Sequence, residues 1–237
     1  MRAFLSSYRF GPGVDELVRV WGGTGRVAVV AAALDAWPET ARRSAVTSEL
    51  GPLRAAGFDA DELDLRPLVG RPDALRARLR GYDHVWVRGG NTFVLRAQLA
   101  RTGADHALHE AVSTGALDYG GYSAGACVAT PTLVGLDSSD DPTDARRLTG
   151  APAVWEGLGL VDVALVVHCP RPGAPALATD EEIEAATSAL RAAGRPYVRL
   201  TDADAVVTHG AGWEFVSPVG RETLRARAEP PGRGQPS

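Results

Sequence analysis

The stretch Gly121-Tyr122-Ser123-Ala124-Gly125, led in by Ala116-Leu117-Asp118-Tyr119-Gly120, reads as a strand that breaks sharply into a helix. A serine hydroxyl is a poor nucleophile until a base takes its proton, so a reactive serine must be held clear of the backbone and aimed at a partner. A tight strand-to-helix turn does this, and glycines two residues to either side leave room for the strained backbone and for close helix packing. The turn also frees amides at the helix start, where the N–H of Ala124 can face an oxyanion.

Arg2 to Ser7 and Arg26 to Ala33 read as strands, the second a continuous apolar run of the kind a parallel sheet covers on both faces. Val14 to Trp21, Arg42 to Ala56 and Pro72 to Arg80 carry helical spacing, Phe58 to Leu65 alternates like a strand nearer an edge, and His84 to Val87 is a further short strand. Gly22-Gly23-Thr24-Gly25 precedes a strand instead of opening a helix, so it is a turn and no dinucleotide fingerprint. Alternating strands and helices predict a doubly wound, mostly parallel sheet in a three-layer α/β/α sandwich, with ligands beyond the carboxyl ends of its strands.

Two stretches should meet at that edge. Arg88-Gly89-Gly90-Asn91-Thr92-Phe93 follows the His84 to Val87 strand, and its glycines let backbone amides approach a ligand, making Gly90 a second candidate oxyanion donor. Asn91 either contacts the ligand or caps the helix through Leu95 and Leu99. The Ser123 turn is the other. From Pro131 to Glu156 the pattern dissolves into a loop with Asp137, Asp140 and Asp141, and Val161 to Val167 reads as a buried strand ending in His168 at the same rim. His84, His106 and His109 fit less well, and His209 is a minor rival for the base. Asp180 to Ala193 is a helix, and Tyr197 to Leu200, Ala205 to Thr208 and Trp213 to Val216 are short strands, the last two a hairpin around Gly210-Ala211-Gly212.

The chain has 237 residues, 45% hydrophobic and 23% charged, with a net charge of −4. That is ample for one globular domain, expected over residues 1–228, with a Pro/Gly-rich tail at 229–237 expected to be disordered. No nucleic-acid surface is expected from a dispersed negative balance, and no apolar run has the length of a membrane span, so a cytoplasmic protein is expected. Lysine is absent, which removes Schiff-base, P-loop and Ser-Lys chemistry. Cys127 and Cys169 lack metal-motif spacing and are expected to line the site passively.

Gly89-Gly90-Asn91-Thr92, Gly121 to Ala126, Pro131-Thr132, Gly157-Leu158-Gly159-Leu160 and the strand-ending His168 form one ordered set. The set resembles the serine peptidase family of aspartyl dipeptidase and cyanophycinase, whose fold is that of class I glutamine amidotransferases. The resemblance implies Ser123 as nucleophile, His168 as base, Gly90 and Ala124 as oxyanion amides and Asn91 as a substrate contact. Its acidic third member, shortly before a proline, maps onto Asp140, with Asp137 and Asp141 open. It implies a small peptide substrate and neither metal nor organic cofactor; a monomer or homodimer is expected. One departure stands out: where aspartyl dipeptidase carries an arginine for the substrate aspartate, this chain has Ala178-Thr179-Asp180-Glu181-Glu182, which would repel an acidic side chain. Arg171, three residues beyond His168, is the candidate substitute. An α/β-hydrolase-type esterase and a non-catalytic, small-ligand-binding member of the amidotransferase-like fold are the alternatives.

Overall fold

Alternate residues of the central strands point into two different apolar clusters. Val27, Val29 and Trp86 pack with Phe4, Leu17, Trp21 and Leu53, whereas Ala28, Val30, Val85 and Val87 pack with Leu5, Leu75, Phe93 and Leu95. A strand presents successive side chains to opposite faces, so a run apolar at every position must be covered on both. Helices supply the cover: α1 (Val14–Trp21) and α2 (Glu39–Ala55) on one face, α3 (Pro72–Leu79), α4 (Thr92–Thr102) and α5 (Ala104–Ser113) on the other. The result is the expected three-layer α/β/α architecture. The computed structural model describes residues 1–175, 177–209 and 212–223, so the tail expected at 229–237 and part of the Gly210-Ala211-Gly212 turn lie outside the described residues.

The main sheet has eight strands: β1 (Arg2–Ser6), β2 (Arg26–Val30), β3 (Asp59–Glu62), β4 (His84–Val87), β5 (Asp118–Tyr122), β8 (Ala205–His209), β9 (Gly212–Ser217) and β10 (Gly220–Thr223). Their order is β10-β9-β8-β1-β5-β4-β2-β3; β1, β5, β4, β2 and β3 run parallel, and β8 to β10 extend the sheet antiparallel. The pairing Ser6↔Tyr122 sets the carboxyl ends of β1 and β5 side by side.

Two expectations change. Val161 to Val167 shortens to β6 (Ala164–Val166), which pairs in parallel not with the main sheet but with β7 (Tyr197–Arg199) in a separate two-stranded sheet. Its residues Ala164 and Val166 pack on Ile183, Ala186 and Leu190 of α8 (Asp180–Ala192), a small core of their own. The stretch from Pro131 to Glu156 is not structureless either: it holds a 3₁₀ turn at Leu136–Ser138 and α7 (Thr143–Thr149), the latter packed against α4. Short polar helices carry too few apolar positions to show a period.

The turn after β5 depends on its glycines. A Cβ on Gly125 would lie 2.0 Å from Val87 O, and one on Gly121 2.8 Å from Gly125 O. The α6 turn (Ala124–Cys127) thus sits directly against β4, and Tyr119 Oη donates to Gly125 O at 2.6 Å. Gly125→Ala should destabilise the protein by about 3 kcal/mol, since close-packed backbone cannot move aside. Urea denaturation checks this, and a variant as stable as the wild type would contradict the packing described.

Candidate active site

Ser123 follows β5 with φ 51 and ψ −121, a conformation a serine rarely adopts, and its N–H donates to Ser6 O at 3.2 Å. Such strain costs on the order of 1–3 kcal/mol and persists only where the surroundings over-determine it. The strain turns the hydroxyl out of the strand, where Ser123 Oγ lies 2.9 Å from His168 Nε2. His168 Nδ1 lies 2.6 Å from Asp202 Oδ1. With Nδ1–H donating to the carboxylate, Nε2 is left as the acceptor for the serine proton, the tautomer a general base needs.

The β6–β7 pair explains how two distant residues meet. Val166 pairs with Arg199, so His168 and Asp202 leave the same end of a parallel pair two and three residues further on. Leu200 N–H donates to Val166 O and Cys169 N–H to Leu200 O, each at 2.9 Å, which carries the register past the strands. Asp204 then accepts from Thr201 N at 2.8 Å and Thr201 Oγ1 at 2.7 Å, fixing the turn that presents Asp202. Fully buried Ser7, one residue beyond β1, locks the assembly to the main sheet: it accepts from His168 N–H at 2.7 Å and donates to Asp202 Oδ1 at 3.0 Å. His168 itself is at φ 60, a second uncommon backbone conformation in the same few residues.

Asp140 does not make the contact expected of it. Its Oδ2 accepts from Thr92 N at 2.9 Å at the start of α4, and the carboxylate on the His168 ring belongs to Asp202. Asp141 closes on Thr143 N at 2.8 Å and Thr143 Oγ1 at 2.7 Å, and Asp137 lies exposed in its 3₁₀ turn. The loop before the histidine is occupied in capping helices, whereas the register of β6 and β7 delivers an acid after it. Asn91 is likewise engaged in capping: Oδ1 accepts from Phe93 N at 2.9 Å and Val94 N at 3.0 Å, while Nδ2 donates to Asp141 O at 3.0 Å. Arg171 is exposed and lines a cleft of about 210 Å³ with His168, Gly11, Pro175 and Asp202. The ring of half-exposed Tyr8 stands edge-on to His168 with centroids 6.4 Å apart.

Among the described residues, the N–H groups of Gly90 and Ala124 have no acceptor, and Gly89 brings the first of these loops against the serine: a Cβ there would lie 2.9 Å from Ser123 Cβ. Burial pushes the Cys127 thiol well above the ordinary range, so it stays protonated and passive. His209 pairs with Arg2 at the start of β1, the opposite edge of the sheet from Ser123, which removes the rival base.

The sequence profile of peptidase family S51 matches residues 39–216, and the chain belongs to that family. It is similar to an uncharacterised peptidase of Listeria innocua serovar 6a, 41% identical over 96 residues, 40% of this chain and 44% of the relative. Peptidase E of Streptomyces coelicolor is 40% identical over 123 residues, 51% of this chain and 46% of the relative. The matched segments thus span about half the length of these relatives. Among solved structures, a peptidase E-like protein of Listeria monocytogenes EGD-e superposes with a TM-score of 0.73 at 23% identity, covering 91% of this chain and 98% of that one. A peptidase from an acI-B1 Actinobacterium gives 0.63 at 16%, covering 95% and 94%. At those identities the likeness is one of fold. No described helix is long and apolar enough to cross a membrane.

Burial raises the Asp140 carboxyl above its ordinary value, with the hydrogen bond from Thr92 acting the other way. Its ionisation therefore costs the folded state at pH values above the raised pKa, and the cost disappears as pH falls through that value towards the unfolded one. Asp140→Asn keeps an oxygen for Thr92 N without the charge. It should denature at a higher temperature than wild type at pH 8, and the gap should close in acid. A gap that widens in acid would contradict the assignment.

Proposed function

We propose that the chain is a serine peptidase of the dipeptidase type, hydrolysing small peptides through an acyl-enzyme on Ser123. The observation that carries this reading is the unbroken hydrogen-bonded line from Ser123 Oγ through His168 to Asp202. In the first step the Ser123 oxygen attacks the scissile carbonyl carbon while its proton passes to His168 Nε2. The tetrahedral oxyanion accepts from the free N–H groups of Gly90 and Ala124. Collapse expels the amine, which takes the proton from His168, and leaves Ser123 esterified. A water then loses its proton to His168 and attacks the ester; the acid leaves and Ser123 recovers its hydrogen. Asp202 holds the imidazole tautomer and stabilises the cation formed in each half, with Ser7 keeping the carboxylate in place.

Two further features support a short substrate with free ends. Arg171 is exposed in the cleft beside His168 and Asp202 and is suited to a substrate carboxylate. Asp140, bonded to the N–H two residues past Gly90, sets a carboxylate beside a proposed oxyanion donor. A substrate's α-ammonium, two bonds from the scissile carbon, would come to the same place. An esterase with the Ser–Asp–His order fits less well, since the acid here follows the histidine.

A panel of Asp-X, Glu-X and neutral dipeptides, each free and N-acetylated, tests the reading. Ser123→Ala should lower turnover by about 10⁴–10⁶-fold and Asp202→Asn by about 10⁴-fold. Acetylated members should be poorer substrates than free ones. Turnover that survives Ser123→Ala would sink the mechanism.

A further inference from the structure

Between Arg88, whose N–H donates to Val30 O, and Asn91, whose N–H donates to Ala33 O, two successive peptide units have no backbone partner among the described residues, and the second of them is Gly89–Gly90. Two glycines flank it and Gly90 is at φ 148, so little in the backbone resists rotation of that unit. A trans peptide is planar, with C=O and N–H pointing opposite ways. Whatever holds Gly89 O therefore also aims the Gly90 N–H.

Arg88 holds it: Nη1 donates to Gly89 O at 2.8 Å. The guanidinium is ion-paired in turn: its buried Nε lies 3.3 Å from Glu49 Oε2, a charge contact without hydrogen-bond geometry. Glu49 comes from α2 on the far face, is only 1% exposed, and accepts from Trp86 Nε1 at 2.9 Å and Tyr122 Oη at 3.0 Å. Burial pushes the Tyr122 phenol up, which keeps it a neutral donor to that carboxylate. One buried carboxylate thus ties together the end of β4, which launches the glycine loop, and the residue preceding Ser123.

We infer that Arg88, braced by Glu49, is a positioning residue that fixes the Gly89–Gly90 peptide so that the Gly90 N–H faces the oxyanion. The inference rests on the serine peptidase reading above for its chemistry. Arg88 touches no reacting atom in this scheme. An interaction made only in the transition state shows in kcat and spares KM.

The double variant Arg88→Met/Glu49→Gln removes both charges together, so neither is left buried alone. Its crystal structure gives the peptide plane, and the rate at which a fluorophosphonate labels Ser123 gives oxyanion stabilisation without any choice of peptide. The expected result is a Gly89–Gly90 peptide turned or divided between two orientations, with labelling slowed about 10²-fold, the usual effect of losing one oxyanion donor. A peptide left unturned overturns the inference whatever the labelling rate, and a turned peptide with wild-type labelling overturns the role of Gly90. If the wild type itself resists the probe, the serine reading fails, and the peptide plane alone decides whether Arg88 positions it.

Discussion

Everything at the site depends on a two-stranded parallel sheet too small to stand alone. β6 and β7 contribute three residues each, yet their register sends His168 and Asp202 out of the same end, and the backbone bonds through Leu200 and Cys169 continue it past the strands. Parallel strands have no hairpin to fix them, so this pairing relies on α8 crossing between them and packing Ile183, Ala186 and Leu190 beneath. Ser7 joins the unit to the main sheet through one hydroxyl that serves both His168 and Asp202. A buried hydroxyl with both its donor and an acceptor site satisfied is rigid, and rigidity here is what keeps an imidazole aimed at a serine.

The other half of the site is held by the eight-stranded sheet. Strain at Ser123 is tolerated because β1 and β5 are paired at Ser6↔Tyr122, and because Gly121 and Gly125 let α6 press on β4 without side chains between. The two sheets, one large and one small, meet along the line Ser123–His168. The acidic segment after Pro131 is a third element, and it serves α4: Asp140 and Asn91 cap that helix beside the glycine loop. Capping there neutralises partial positive charge at the helix start, and among the described residues the Gly90 N–H beside it has no acceptor.

Much of this was legible from the residues. The apolar run at Val27 to Val30 predicted two-sided burial, and the G-x-S-x-G turn predicted a strained serine after a strand. His168 lies at the rim that its place at a strand end predicts, although that strand belongs to the small sheet and not the main one. A search in chain order looks for the histidine's carboxylate between Ser123 and His168 and so passes over Asp202, which the small sheet brings to the His168 ring in space. Its signal was present: Thr201-Asp202-Ala203-Asp204 follows directly on the Tyr197 to Leu200 strand, the position that a parallel neighbour of the histidine strand would share. No periodicity marks such a pairing, because long-range register is set by packing against α8 and leaves no trace in local pattern.

The most direct measurement is proton NMR of the His168 ring in the wild type, Asp202→Asn and Asp140→Asn. A ring N–H donating to a carboxylate 2.6 Å away resonates far downfield of other amides and rings. The signal should be present in the wild type and in Asp140→Asn and absent from Asp202→Asn. Its loss in Asp140→Asn with persistence in Asp202→Asn would contradict this and place the carboxylate that meets the His168 ring in the loop before the histidine.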